Sequence, residues 1–106
     1  MKQITIIAAI AAAVGIATPA HAEKRCGWIS NTMPSDFTLS DRDGGWKIAT
    51  IEWQADGFEA MPSTDKGDTC GCVTGDTDKA THRFTRITGG NLLPTKICNA
   101  DKSLKF

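Results

Sequence analysis

The stretch Thr69-Cys70-Gly71-Cys72-Val73-Thr74 is the part of this chain around which its fold is organised. Residues two apart in a β-strand point to the same face, so a strand here presents the sulfurs of Cys70 and Cys72 side by side. The other two cysteines are Cys26, near the N-terminus, and Cys98, near the C-terminus. If both central sulfurs are bridged outward, one strand fastens the beginning and the end of a single domain.

The N-terminal residues are typical of a secretory signal peptide. Lys2 supplies a positive charge, Ile4 to Ala17 is an almost unbroken apolar run, and Ala20-His21-Ala22 offers the small residues that signal peptidase requires. The run is shorter than the roughly 18 to 20 residues of a membrane span. We therefore predict a signal peptide over residues 1–22, cleaved after Ala22. Residues 23–106 would form a single periplasmic or secreted domain, free of the membrane.

The mature chain carries almost no net charge. Without Lys2 it holds 11 basic and 12 acidic side chains, which provides no long-range field for nucleic acid or for an anionic membrane. A domain of this size has a small core and often needs covalent links. Four cysteines in an exported chain are most simply two disulfides. Two pairings join the central strand to both ends: Cys26–Cys70 with Cys72–Cys98, or Cys26–Cys72 with Cys70–Cys98.

The clearest hairpin pattern lies between residues 37 and 49. Phe37-Thr38-Leu39-Ser40 and Trp46-Lys47-Ile48-Ala49 alternate apolar and polar residues. Between them Asp43-Gly44 is typical of a type I′ turn, which predicts Leu39 opposite Ile48. The apolar residues of both strands then share one face: Phe37, Leu39, Trp46 and Ile48.

The remaining segments also favour β-structure. We predict a first strand at Cys26–Ile29, a long loop with a helical turn over residues 56–69, and a second hairpin that joins Thr69–Thr74 to Thr81–Thr88. Gly75–Lys79 and Gly89-Gly90-Asn91 have the composition of turns, and no segment predicts a helix of ten residues. The expected fold is a small all-β domain of about four to six short strands, a disulfide-stapled antiparallel sheet or barrel.

Catalytic and metal-binding patterns are weak in this sequence. His82 is the one histidine of the mature chain, it has no evident nucleophile partner, and the cysteine spacing differs from that of zinc sites. The aspartates lie in turn-like segments without the spacing of a calcium loop. We therefore predict no enzyme activity, no cofactor and no metal. A thiol–disulfide or metal-handling role for Cys70-Gly71-Cys72 stays open as an alternative.

The tryptophans offer a candidate binding surface. Trp28, Trp46 and Trp53 can all belong to the core, but an exposed indole is also a common anchor for a protein or a glycan. Trp53 is the best candidate, because it is out of phase with Trp46 and Ile48. That change of phase predicts either a β-bulge near Ala49-Thr50 or a segment covered on both faces.

Several motifs occur in an order that resembles a known family. Cys26-Gly27-Trp28, the segment Leu39–Ile48, Cys70-Gly71-Cys72 and Cys98-Asn99-Ala100-Asp101 resemble the short exported bacterial proteins catalogued as domain of unknown function 4087. The resemblance covers nearly all of the mature chain. It implies an envelope location in Gram-negative bacteria and a structural role for the cysteines, and it implies no activity.

The leading functional hypothesis is a non-catalytic binding module. We expect a small envelope protein that engages another envelope or extracellular protein, as an inhibitor or an immunity-type factor. The first alternative is the thiol–disulfide or metal-handling role of Cys70-Gly71-Cys72. The second is a glycan-binding module that uses an exposed tryptophan.

Overall fold

A computed structural model of the chain describes residues 22–33, 36–64 and 67–104. The predicted signal peptide, apart from Ala22, lies outside these described residues. Within them, no helix combines the length and the apolar character needed to cross a bilayer.

The described chain is dominated by five β-strands. A 3₁₀ turn at Phe58–Ala60 lies between the third and fourth strands, and one short helix, α1 (Thr95–Ala100), follows the fifth. The predicted all-β class and strand number are therefore confirmed. The strands are β1 (Glu23–Met33), β2 (Asp36–Asp41), β3 (Gly44–Ala49), β4 (Gly67–Asp78) and β5 (Arg83–Leu92).

The strands close into a barrel in the order β1-β2-β3-β5-β4, with β4 returning to β1. All neighbours are antiparallel except β3 and β5, which run parallel where Lys47 meets Arg83. A β1-β2-β3 meander, a β4-β5 hairpin and a parallel β3–β5 contact define the topology of the oligonucleotide/oligosaccharide-binding barrel. Such a topology does not by itself imply a function.

The seam between β3 and β5 is narrow, and the chain that follows β3 completes it. Lys47 is the register partner of Arg83, and the Lys47 N–H donates at 2.9 Å to O of His82, the residue directly before β5. Further along, the Ala55 N–H donates to Ile48 O at 3.0 Å and the Ile87 N–H donates to Asp56 O at 2.7 Å. Residues 54–56 therefore bridge the two strands.

The inward face of the barrel carries the main core, as the alternation predicts. Leu39, Trp46 and Ile48 are buried together, and Phe37 packs against them, so the predicted common face is confirmed. The other strands and the bridging segment supply the rest of this core: Ile29, Ala49, Ala55, Val73, Phe84 and Ile87.

The register of the first hairpin differs from the prediction by two residues. Leu39 lies opposite Trp46, and Arg42-Asp43 form the turn. Both turn residues have negative φ, which excludes type I′, and Gly44 takes φ +113° instead. The Asp43 N–H donates to the Asp41 carboxylate at 2.9 Å, which stabilises the earlier turn. A shift of two residues preserves the side-chain face, so the core prediction survives the wrong register.

Two predicted turns are strand in the structure. Gly75–Asp78 continues β4 and Gly89-Gly90-Asn91 continues β5, while the connection lies at residues 79–82. A Cβ at Gly75 would collide with the carbonyl oxygen of Arg86 across the hairpin. This glycine permits close approach of two curved strands, a role that composition does not distinguish from a turn. The predicted second hairpin itself and the helical turn after β3 are confirmed.

Candidate functional site

The two disulfides are Cys26–Cys72 and Cys70–Cys98. Cys26 and Cys72 are register partners in the antiparallel β1–β4 pair. Cys70, two residues before Cys72, lies on the same outward face of β4 and reaches the C-terminal helix. One of the two pairings left open by the sequence is therefore the native one, and the central strand is bridged outward at both sulfurs. Two disulfides also indicate an oxidising environment of the extracellular type.

A second, smaller cluster lies outside the barrel around Cys70–Cys98. Trp28 is buried beside this bridge, and Leu93 and Leu104 pack over it. Cys98 is the one buried residue of α1, whose preceding Pro94 makes no side-chain capping bond. The bridge is therefore the main attachment of the helix to the barrel.

The inward-facing residues at one end of the barrel form a polar plug around Asp41. Its carboxylate accepts hydrogen bonds from the Trp46 Nε1–H at 3.0 Å and from an Arg25 Nη1–H at 2.9 Å. The Arg25 guanidinium also lies 3.8 Å from the centre of the Trp46 ring, and the His82 imidazole stacks on that ring at 4.1 Å. Trp46 is consequently buried and offers no binding surface.

Ionic contacts stabilise the charged state of this plug. Burial opposes the charge of Arg25, but hydrogen bonds to Asp41 and Asp43 raise the pKa of its guanidinium above the usual value. A hydrogen bond from the Thr77 hydroxyl, at 2.9 Å, lowers the pKa of Glu23. Arg25 is thus engaged by protein carboxylates, and the plug is a structural feature of the fold.

A tight hairpin projects from the seam directly after β3. We call residues 49–54 the tip hairpin. The Thr50 N–H donates to Trp53 O at 2.6 Å and the Trp53 N–H returns a bond to Thr50 O at 3.4 Å, while Ala49 and Gln54 form an antiparallel bridge. Ile51 at the tip is 86% exposed. The structure thus presents a large apolar side chain on an ordered turn.

Trp53 belongs to the tip hairpin, and Arg83 at the start of β5 lies over it. Trp53 is half-buried and packs against the main core, and the Arg83 guanidinium lies 4.7 Å from the centre of its ring. Trp28 and Trp46 are buried, so Trp53 is the candidate indole that reaches solvent. The predicted irregularity is a bulge, in which Thr38 pairs with Lys47 and Phe37 with Ala49.

Three clefts on the described surface are mainly polar. One of about 280 Å³ lies where Phe37 and Phe58 meet edge to face, one of about 430 Å³ lies beside Cys26, and one of about 300 Å³ lies beside His82. Pockets for small molecules span about 300–1,000 Å³ and are mostly apolar. Among the described residues, no group of three potential ligands could hold a metal ion.

Comparison with protein families identifies the chain. A model described as "Protein of unknown function (DUF4087)" matches residues 20–105. The chain belongs to this family. No curated protein and no solved structure matches it. The resemblance inferred from the cysteine and tryptophan motifs is therefore confirmed, and the DUF4087 match spans all five strands and α1.

Sequence reasoning missed two features of this DUF4087 chain. Arg25 and Asp41 are 16 residues apart in the sequence and meet only because β1 and β2 pair in the barrel. No local sequence pattern therefore predicts the polar plug. Ile51 gave a usable signal, since it shares the change of phase that singled out Trp53. His82 is exposed, stacks on Trp46 and has φ +55°.

Proposed function

We propose that this protein is a non-catalytic binding module of the periplasm or cell exterior that engages another protein through the tip hairpin. The observation that carries this proposal is Ile51, which is 86% exposed at the end of a turn held by backbone hydrogen bonds. A single exposed apolar residue is common on protein surfaces. Ile51 differs because it is presented on an ordered projection beside Trp53 and Arg83.

The tip hairpin is held together by hydrogen bonds of its own residues. Its two reciprocal backbone bonds are supplemented by the Glu52 N–H, which donates to the Thr50 hydroxyl oxygen at 3.3 Å. On the barrel side, the bridging segment that begins at Gln54 is bonded to both β3 and β5. A binding loop that needs no ordering loses less conformational entropy on association.

The residues around Ile51 have the chemistry of a protein-binding hot spot. Such sites are enriched in tryptophan and arginine, surrounded by polar residues that exclude water. Trp53 supplies a half-buried aromatic base, and Arg83 lies over it with no ion-pair partner among the described side chains. Because the guanidinium covers part of the indole, this arrangement favours a protein partner over a stacked sugar ring.

The outer face of β2 and β3 argues against a nucleic-acid ligand despite the barrel topology. Single-stranded nucleic acids stack their bases on exposed aromatic side chains. The outward positions of these two strands are polar or small, because the aromatic residues point into the barrel. These outward residues are Thr38, Ser40, Gly45 and Lys47.

Site-specific photocrosslinking in the native host tests the proposal. A photoreactive amino acid is placed at position 51 and, as a matched control, at position 97, where Ile97 on α1 is 49% exposed. We expect one discrete protein adduct from position 51 and none of that mass from position 97. The captured protein, purified, should bind the wild type, and Ile51→Asp should weaken its Kd about tenfold or more, while Ile97→Asp leaves it unchanged.

Two outcomes would refute this site. One is equal crosslinking from positions 51 and 97, and the other is an unchanged Kd for Ile51→Asp with a partner that binds the wild type. Both variants replace exposed side chains, so their melting temperatures should stay close to that of the wild type. A loss of binding without a loss of stability therefore reports on the interface.

A further inference from the structure

We infer that the Cys26–Cys72 disulfide is a thiol–disulfide exchange site, whereas Cys70–Cys98 is an inert structural link. The inference rests on the unequal surroundings of the two bridges and is independent of the tip hairpin. Cys26 is exposed to solvent, while Cys72 and Cys70 are each 1% exposed and Cys98 is 4% exposed. Cys26 is therefore the one exposed cysteine of the four, and its bridge is the one that reaches the surface.

The Cys26–Cys72 bridge is also easier for a reductant to approach than the Cys70–Cys98 bridge. Cys26 lines the cleft of about 430 Å³, together with Lys24, Arg42 and Asp101, so this end of the bridge borders a solvent-filled cleft. Exchange requires such an approach to one sulfur of the bridge. The Cys70–Cys98 bridge lies in the second cluster, beneath the residues that cover it: Trp28, Leu93 and Leu104.

The exchange step is balanced with a dithiol reductant as the partner. The thiolate of the reductant attacks Sγ of Cys26, a new S–S bond forms, and the Cys26–Cys72 bond breaks with its electron pair on Sγ of Cys72. The second thiol of the reductant then attacks the reductant's first sulfur in the mixed disulfide, and Cys26 leaves as a thiolate. Two electrons and two protons pass to Cys26 and Cys72, which become thiols, and the reductant becomes a disulfide.

The fold around Cys26–Cys72 allows this step to be reversible. The two residues sit within a continuous antiparallel register that runs from Glu23–Gly75 to Asn31–Gly67, so backbone pairing keeps them opposite each other after reduction. Neither sulfur belongs to the main core inside the barrel. Cys98, in contrast, is the one buried residue of α1, so loss of its bridge would release the helix.

Graded reduction of the folded protein tests the assignment. Wild-type protein is incubated with dithiothreitol under native conditions, quenched in acid, unfolded, alkylated and mapped by peptide mass. We expect Cys26 and Cys72 to become alkylated together at least about tenfold faster than Cys70 and Cys98. The far-UV circular dichroism spectrum should stay native while the Cys26–Cys72 bridge is open. Removal of the reductant in a glutathione redox buffer should restore that bridge.

Two paired variants keep the test decisive if one of them folds poorly. In Cys26→Ser/Cys72→Ser the remaining bridge should resist dithiothreitol at the concentration that opens the first bridge of the wild type. In Cys70→Ser/Cys98→Ser the Cys26–Cys72 bridge should retain the wild-type rate of reduction. Reduction of Cys70–Cys98 first, or of both bridges at the same rate with loss of the native spectrum, would overturn the inference.

Discussion

Removal of the Asp41 carboxylate should destabilise the protein by about 3 kcal/mol. Asp41 is 6% exposed and accepts hydrogen bonds from Trp46, Arg25 and the Asp43 N–H. In Asp41→Ala the buried Trp46 N–H is left without an acceptor, which costs about 1–3 kcal/mol. Arg25 loses one of three carboxylates but keeps Glu23 and Asp43, so its share is about 1 kcal/mol, below the 3–5 kcal/mol of a fully broken buried pair. The Asp43 N–H lies in an exposed turn and can bond to water.

Asp43→Ala is the matched control, because the Asp43 side chain bonds the same guanidinium at 3.2 Å but is 58% exposed. Exposed ion pairs contribute about 0–1 kcal/mol, so this variant should remain near the wild type. Urea unfolding followed by tryptophan fluorescence should show the Asp41→Ala midpoint about 1–3 M lower, with an unchanged slope. Equal shifts for the two variants would refute the buried hydrogen-bond argument.

A double-mutant cycle isolates the Trp46–Asp41 bond. Trp46→Phe removes the N–H donor while it keeps an aromatic ring in the core. In that background Asp41→Ala should cost about 1–3 kcal/mol less than in the wild type, because no buried indole N–H remains to lose its partner. Strictly additive effects would show that the 3.0 Å contact contributes nothing of its own.

Two further predictions concern the seam and the response to pH. Gly57→Ala should lower the free energy of unfolding by about 2–4 kcal/mol in urea titrations, because Gly57 has φ +78° and a Cβ there would collide with Ile87 O. In the control Gly89→Ala a Cβ meets no atom within 4 Å, so its free energy of unfolding should stay within about 1 kcal/mol of the wild type. Similar losses of stability in the two variants would contradict the reasoning. The Thr77 hydroxyl lowers the pKa of Glu23 below its ordinary 4.5, so the stabilisation by ionised Glu23 is present above that value and is lost as the pH falls through the lowered pKa. Thr77→Val should raise the pKa of Glu23 in an NMR titration and weaken the dependence of stability on pH between about 5 and 3; an unchanged pKa would exclude the hydroxyl as its cause.

The core is predictable from sequence because the alternation of apolar and polar residues fixes which side chains face inward, even when the predicted strand register is wrong by two residues. The alternation correctly predicts Leu39 and Trp46 on the buried face, although the predicted register of their strands is wrong by two residues. The turn was misplaced because Asp43-Gly44 is a strong I′ signal, whereas the deciding contact is the Asp41 carboxylate on the Asp43 N–H. That contact depends on an Asp41 side chain whose other partners come from elsewhere in the barrel.

Glycines misled the prediction for a related reason. The composition predicts turns at Gly75, Gly89 and Gly90, but all three lie in paired strands. At Gly75 the missing Cβ makes room for Arg86 O of the neighbouring strand. The same residue type therefore serves tight turns and tight strand contacts, and only the three-dimensional neighbour distinguishes the two.

The two faces of β1 and β4 separate the barrel core from the two disulfides. Inward residues such as Ile29 and Val73 build a core that contains no cysteine and no residue of α1, while outward Cys26 and Cys70 carry the bridges. We therefore expect the barrel to stay closed when the outward Cys26–Cys72 bridge is reduced. The tip hairpin should stay in place, because it is attached at the seam between β3 and β5. If reduction of Cys26–Cys72 altered the partner affinity measured with Ile51 intact, the two sites would be coupled. Because the core and the bridges are separate, we predict that reduction of Cys26–Cys72 leaves the partner affinity unchanged.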